Sequence, residues 1–147
     1  MLSMKAKYAL RALMVLSKNG GMMQIKTIAE EADVPHKFLE TIMQDLKSKG
    51  LVNSKRGIFG GYFLSLPADK ITVGDIIRVI DGPLAPIRCA SVTAYQKCDD
   101  CADEKACSIR KVMLNVRNAI SDVLDKCTLK EMAGQENQDF SYFNYCI

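Results

Sequence analysis

Residues 49–66 read KGLVNSKRGIFGGYFLSL. Two short runs with apolar and aromatic residues, 51–55 and 62–66, flank a turn that contains three glycines, and this arrangement predicts a β-hairpin. Cations at the turn can contact phosphate groups, and glycine lets a backbone approach such groups closely. The predicted contact residues of the hairpin are Lys55, Arg56, Gly60, Gly61 and Tyr62.

Two amphipathic helices are predicted before the hairpin. The first spans about 24–32, and the second follows the break at 33–35 and ends at Gly50. Each repeats apolar residues at the spacing of one helix face, and two such helices joined by a few residues are typical of a helix-turn-helix. The outer face of the second helix carries the remaining predicted contact residues: His36, Lys37, Glu40, Thr41 and Gln44.

The elements on either side complete a winged helix. A helix over about 5–18 precedes the helix-turn-helix, and another follows the hairpin, opening at Thr72 and Asp75 and closing at Gly82. The order predicts a mostly α-helical protein with a small β-hairpin, and a DNA-binding domain over 1–82. In such a domain the third helix enters a major groove while the hairpin reaches the backbone or a minor groove.

Composition agrees with this reading. The chain has 147 residues, 48% hydrophobic and 25% charged, as expected of one soluble globular domain. Residues 1–82 hold 12 Lys and Arg against 8 Asp and Glu, which hints at a polyanionic partner. No run of apolar residues is long enough to span a bilayer and no secretory signal is evident, so we expect a cytoplasmic protein without a membrane partner.

The second half of the sequence contains a predicted surface for binding another chain. A loop over 83–107 is followed by a long apolar stripe within a helix predicted over 108–132. The stripe exceeds what a small domain needs for its own core, so it predicts a dimerisation helix. A tail over 133–147 contains aromatic residues without a predicted role. The stripe consists of Ile109, Val112, Met113, Val116, Ile120, Val123, Leu124 and Cys127.

Cysteines cluster in the loop. In the reducing cytosol, clustered thiols favour metal binding or redox chemistry over structural disulfides. The predicted ligands are Cys98, Cys101 and Cys107 with Cys89 as the fourth, for an iron-sulfur cluster or a zinc ion. The alternatives are a Cys98–Cys101 thiol pair that closes reversibly, or no cofactor. The chain has one histidine, at the start of the third helix, so we do not expect a Cys–His enzyme.

Several motifs together resemble the Rrf2 family of bacterial winged-helix regulators. They are 8–11 (YALR), 35–40 (PHKFLE) and 49–57 (KGLVNSKRG) leading to the glycine pair before Tyr62. The resemblance extends to about Met132. It implies a homodimer that binds operator DNA, with a cysteine-bearing loop before a dimerisation helix. Through such a loop we expect the regulator to sense redox state, iron-sulfur status or nitric oxide.

The loop departs from the pattern of the family's cluster-binding members, which have three cysteines with five residues between neighbours. Cys101 and Cys107 keep that spacing, but Tyr95 occupies the place of the first cysteine. Arg110 and Lys7 stand where such members carry a histidine or an acid as fourth ligand. A cluster would therefore be held differently, and a cofactor-free regulator controlled by a protein partner or by thiol oxidation remains the alternative.

Overall fold

The computed structural model describes residues 2–134, and its elements follow the predicted order. These residues form six α-helices and one two-stranded antiparallel sheet, which confirms the predicted fold class. The predicted tail over 133–147, including Cys146, lies outside the described residues apart from its first two. In chain order the elements are α1 (Met4–Asn19), α2 (Ile25–Ala32), α3 (His36–Ser48), β1 (Val52–Lys55), β2 (Gly61–Leu64), α4 (Val73–Ile80), α5 (Ser108–Leu124) and α6 (Leu129–Gly134).

Helix α1 is central to the core, because it packs against α2, α3, α4 and α6. Small side chains on its inner face let these neighbours approach closely, and Leu13 and Leu16 fill the space between them. The predicted apolar stripe of α3 is buried as expected. Its burial fixes α3 with the opposite side facing outward. The stripe consists of Leu39, Ile42, Met43 and Leu46.

Local hydrogen bonds set the helix ends. The predicted capping box at α4 is confirmed, since the Asp75 amide donates to Thr72 Oγ1 and the Thr72 amide donates to the Asp75 carboxylate, both at 3.1 Å. Helix α1 ends at Gly20, whose φ of 69° is left-handed. These ends place the helix-turn-helix and α4 where the sequence predicts them.

The hairpin is held by its own strands and by the chain before α2. Strand β1 pairs with β2 from Val52↔Leu64 to Lys55↔Gly61, and an isolated bridge joins Met23 to Tyr62. A Cβ at Gly61 would lie 2.3 Å from the Met23 carbonyl oxygen, and one at Gly60 would lie 2.1 Å from the Lys55 carbonyl oxygen. Close approach of the chain's own backbone therefore requires both glycines, and their approach to phosphate stays a prediction.

The helix predicted over 108–132 is interrupted, which corrects that prediction. Helix α5 ends at Leu124, and the chain turns before α6 begins at Leu129. The turn is stabilised by backbone pairing with the start of α4: the Val73 amide donates to the Cys127 carbonyl at 2.9 Å, and the Leu129 amide donates to the Ile71 carbonyl at 2.8 Å. A second capping box, Thr128 with Glu131, then starts α6.

Helix α5 is also tied to α4 by charge. The Arg78 guanidinium donates two hydrogen bonds to the Asp125 carboxylate, at 2.7 and 2.8 Å. The hydrogen bond with Arg78 lowers the pKa of Asp125 below its ordinary value. A Cβ on Gly74 would lie 2.0 Å from Asp125 Oδ1, so a side chain there would have to displace the Asp125 carboxylate. The end of α5 is therefore fixed to the winged helix.

Candidate nucleic-acid interface and cysteine loop

Helix α3 presents a polar outer face. All five residues predicted to make contacts there are exposed: His36, Lys37, Glu40, Thr41 and Gln44. His36 Nδ1 lies 3.6 Å from Glu40 Oε1, as expected for side chains one turn apart. Phe38 is 63% exposed on the same helix, with its ring 6.4 Å from that of Tyr8. We did not predict a role for Phe38, although its position off the apolar stripe indicated exposure.

Two side-chain hydrogen bonds join the hairpin to the helix-turn-helix. Lys47 Nζ of α3 donates to Ser54 Oγ of β1 at 2.6 Å. Gln24 Nε2, just before α2, donates to the Ile58 carbonyl at the hairpin turn at 3.1 Å. Neither hydrogen bond could be predicted from the sequence, because the two residues that it joins do not belong to a common sequence motif. They hold the turn at a defined position relative to the outer face of α3.

The predicted hairpin residues fall into two groups. Lys55 and Arg56 are exposed at the turn. Tyr62 is half-buried against the core, and its backbone exchanges hydrogen bonds of 2.8 and 2.9 Å with Met23. Tyr62 and the two glycines before it therefore hold the hairpin in shape, and the two cations provide its charge.

The charges around α3 and the hairpin favour an anionic partner. Residues 52–64 contain Lys55 and Arg56 and no carboxylate. On α3, Asp45 is paired with Lys5, whose Nζ lies 2.5 Å from Asp45 Oδ2. The outer face of α3 and the two cations of the hairpin together present polar and positively charged groups of the kind that contact DNA.

The four loop cysteines lie in two neighbouring pairs. Cys89, in a short 3-10 turn, is 4% exposed, while the other three are half-buried. The hydrogen bond with Cys89 raises the pKa of the Cys98 thiol to about 11. Burial raises the pKa of the Cys101 thiol, and the neighbouring Cys107 raises it further. At neutral pH the thiols of Cys98 and Cys101 are therefore protonated.

The loop is attached directly to the start of α5. Cys107 is the N-cap of α5, and its Sγ accepts a hydrogen bond from the Arg110 amide at 3.4 Å. Arg110 Nε donates to the Cys89 carbonyl at 3.0 Å. Arg110 therefore joins the two ends of the cysteine loop, at the position where we had noted the loss of a histidine ligand. A change within the loop is well placed to reach α5.

The predicted metal site is not formed in this arrangement. Four thiols are the donors that iron-sulfur clusters and zinc prefer. Within residues 2–134, however, no three or more His, Cys, Asp or Glu side chains are arranged to hold a metal ion. The donor chemistry of Cys89, Cys98, Cys101 and Cys107 fits such a group, and the placement of the side chains does not.

One face of α5 is apolar and exposed. None of the residues of this helix is buried, although the rest of the described chain has a well-filled core. The members of this face lie on one side of the helix, because they are three, four and seven residues apart. It includes Ile109, Val112, Val116 and Val123. No helix in the described range is long and apolar enough to cross a membrane.

Comparison with known proteins agrees with this architecture. The Rrf2 family model, described as iron-dependent transcriptional regulator, matches residues 2–135. A protein of Rhodobacter capsulatus described as an rrf2-like HTH-type transcriptional regulator is 41% identical over 93% of this chain and 95% of its own length.

Two solved structures extend the comparison to three dimensions. The structure of CymR, the global cysteine regulator of Bacillus subtilis, matches with a TM-score of 0.74 and 34% identity, covering 91% of this chain and 96% of that one. The structure of IscR from T. potens matches with a TM-score of 0.68 and 31% identity, covering 92% and 87%. The family and these neighbours are DNA-binding transcriptional regulators and not enzymes. The chain therefore belongs to the Rrf2 family of winged-helix transcriptional regulators.

Proposed function

We propose that this chain acts in the bacterial cytoplasm as a homodimer that binds operator DNA through α3 and the hairpin, and that thiol chemistry in the loop over 83–107 changes its affinity. The observation that supports this most directly is the exposed polar face of α3 beside a hairpin that carries two cations and no carboxylate.

In this proposal α3 enters the major groove and reads bases. Glu40 can accept a hydrogen bond from a cytosine amino group, and Gln44 can pair with adenine. His36, Lys37 and Thr41 lie along the same face and contact neighbouring bases or phosphates. Lys55 and Arg56 contact phosphate or the minor groove, which adds affinity for every sequence.

The dimer is formed by the exposed apolar face of α5. Regulators with a helix-turn-helix bind two half-sites, and an operator with two-fold symmetry requires a protein with two-fold symmetry. An exposed apolar stripe on a helix is typical of a surface that another chain covers. Two α5 helices packed together would place the two α3 helices at a fixed separation.

The signal in this proposal is oxidation of the paired thiols. Because the raised pKa values of Cys98 and Cys101 keep these two thiols protonated, the oxidation should be slow at neutral pH and should become faster as the pH rises. Cys89 neighbours Cys98, and Cys101 neighbours Cys107, so each pair can form one disulfide. Each step joins two sulfurs and releases two hydrogen atoms, which a peroxide accepts as it is reduced: hydrogen peroxide gives two waters, and an organic hydroperoxide gives an alcohol and one water. Since Cys107 caps α5, a disulfide there would shift the start of that helix.

An iron-sulfur cluster or a zinc ion is the second candidate for the loop. It is favoured by the four sulfurs that influence one another and by the description of the family as iron-dependent. The metal content of protein purified without oxygen distinguishes the cofactor from the thiol switch. Iron or zinc that is present in the wild type and lost in Cys101→Ser supports the cofactor. Metal-free protein whose loop thiols disappear after peroxide treatment supports the thiol switch, and Cys127→Ser is the control outside the loop.

The DNA proposal is tested by selecting genomic fragments that bind the protein and measuring affinity for them at several salt concentrations. Arg56→Ala should weaken binding to all fragments and flatten the salt dependence, because one cation fewer displaces counterions. Glu40→Ala should change which fragments are selected. Lys126→Ala, in the turn after α5, is the control, because it removes a cation that lies away from the proposed interface. It should change neither the affinity and its salt dependence nor the set of selected fragments. Unchanged binding by Arg56→Ala across salt would contradict the role of the hairpin.

A further inference from the structure

The turn of the hairpin exposes two large apolar side chains. Ile58 is 86% exposed and Phe59 is 90% exposed, and no other large hydrophobic side chain in residues 2–134 is as exposed. The apolar residues of α5 are explained by the proposed dimer, whereas this pair lies at the far end of the hairpin. The pair therefore needs a different explanation.

The backbone holds this pair in place. The Ile58 carbonyl accepts the hydrogen bond from Gln24, and the Gly60 amide donates to the Gly57 carbonyl at 3.0 Å. Gly60 also packs too closely on the backbone of Lys55 to tolerate a side chain. The two side chains thus project from a fixed turn, and a partner can bind them without first ordering the segment.

The surroundings of the pair favour DNA over a protein partner. Lys55 and Arg56 precede it directly, and the hairpin has no carboxylate to repel phosphate. An apolar docking surface for a protein is usually a contiguous patch of several hundred Å². Two side chains on a projecting turn bounded by glycines form a narrow wedge. Such wedges of Phe or Ile are inserted between base steps by proteins that bind the minor groove.

We propose that Phe59, supported by Ile58, inserts into the minor groove of the operator and partly unstacks one base step. The inference rests on the proposed DNA binding and adds a specificity-determining contact to it. Insertion should favour operators with a flexible pyrimidine–purine step under the hairpin, because such steps unstack at lower cost. Phosphate contacts from the neighbouring cations would hold the wedge in register.

The experiment uses the full chain and selected operator fragments that carry 2-aminopurine at successive positions of the segment protected by the hairpin. Wild-type protein should raise the fluorescence at one step in each half-site, because unstacked 2-aminopurine is less quenched. Phe59→Ala should abolish that rise and weaken binding about 10- to 100-fold, as expected for losing burial of one aromatic side chain. Phe59→Leu should retain part of both effects.

Val92→Ala is the matched control, since Val92 is an exposed apolar residue outside the hairpin, and it should behave as wild type. The wedge is wrong, while the DNA-binding proposal stands, if wild-type protein binds the operator without raising the 2-aminopurine fluorescence at any position. The same holds if Phe59→Ala raises the fluorescence at the same step as the wild type. If wild-type protein binds no selected fragment, both are wrong. Phe59 is exposed, so its variants should keep the wild-type circular dichroism spectrum and melting temperature.

Discussion

Val116 lies at the middle of the exposed apolar face of α5, and Val116→Asp tests whether that face joins two copies of the chain. The side chain is 39% exposed in the single chain, so an aspartate there can reach water and the fold should persist. In the proposed dimer the same carboxylate would be buried without a partner. A buried charge that is left without a partner costs about 3–5 kcal/mol, and two-fold symmetry applies the cost twice.

Twice the lower figure, about 6 kcal/mol, corresponds to roughly a 10⁴-fold weaker dimer, so a micromolar dissociation constant would become about 10 mM or more. Sedimentation velocity at 1–50 μM should then show a dimer for wild type and a monomer with an unchanged circular dichroism spectrum for Val116→Asp. Asn118→Asp is the control, because it adds the same charge to the opposite face of α5. A wild-type monomer, or a Val116→Asp dimer at these concentrations, would refute the reasoning.

Three further predictions follow from individual contacts. Gly61→Ala places a methyl group 2.3 Å from a neighbouring backbone oxygen, so it should destabilise the fold by about 1–3 kcal/mol in denaturant titrations, whereas Gly21→Ala should be tolerated. The pKa of Cys98 is raised to about 11, so its alkylation rate should keep rising about tenfold per pH unit up to pH 10, and a profile that levels off near pH 9, as for an ordinary thiol, would contradict its hydrogen bond with Cys89. The pKa of Asp125 is lowered, so its ion pair should contribute stability at neutral pH that is lost progressively as the pH falls below about 3.8. Asp125→Asn should therefore remove about 0.5–1 kcal/mol at pH 7 and less as the pH falls below that value, measured by thermal unfolding, and a loss that does not depend on pH would contradict the ion pair.

The elements of the winged helix could be predicted because their signals are local. The apolar stripe of α3 repeats at the helical period, and Thr72 with Asp75 marks the start of α4 within four residues. The hairpin is bounded by its own glycines. In each case the residues that determine the element are neighbours in the chain, so periodicity and capping rules apply directly.

What could not be predicted depends on contacts between distant residues. Helix α5 ends early because the backbone around Cys127 pairs with the start of α4, about 55 residues before it. The roles of Gly60 and Gly61 depend on backbone that folds back against them. The pairing of Cys89 with Cys98 likewise depends on the path of the loop, which the spacing of cysteines does not fix.

The most direct test of the central claim is a hydroxyl-radical footprint of the wild-type protein on a fragment selected from genomic DNA. The account predicts two protected half-sites related by two-fold symmetry and separated by about 10–10.5 base pairs or a multiple of that, since a dimer presents its two α3 helices to successive turns of one face of the duplex. Protection of a single asymmetric site, or protection that is the same on every sequence, would contradict it.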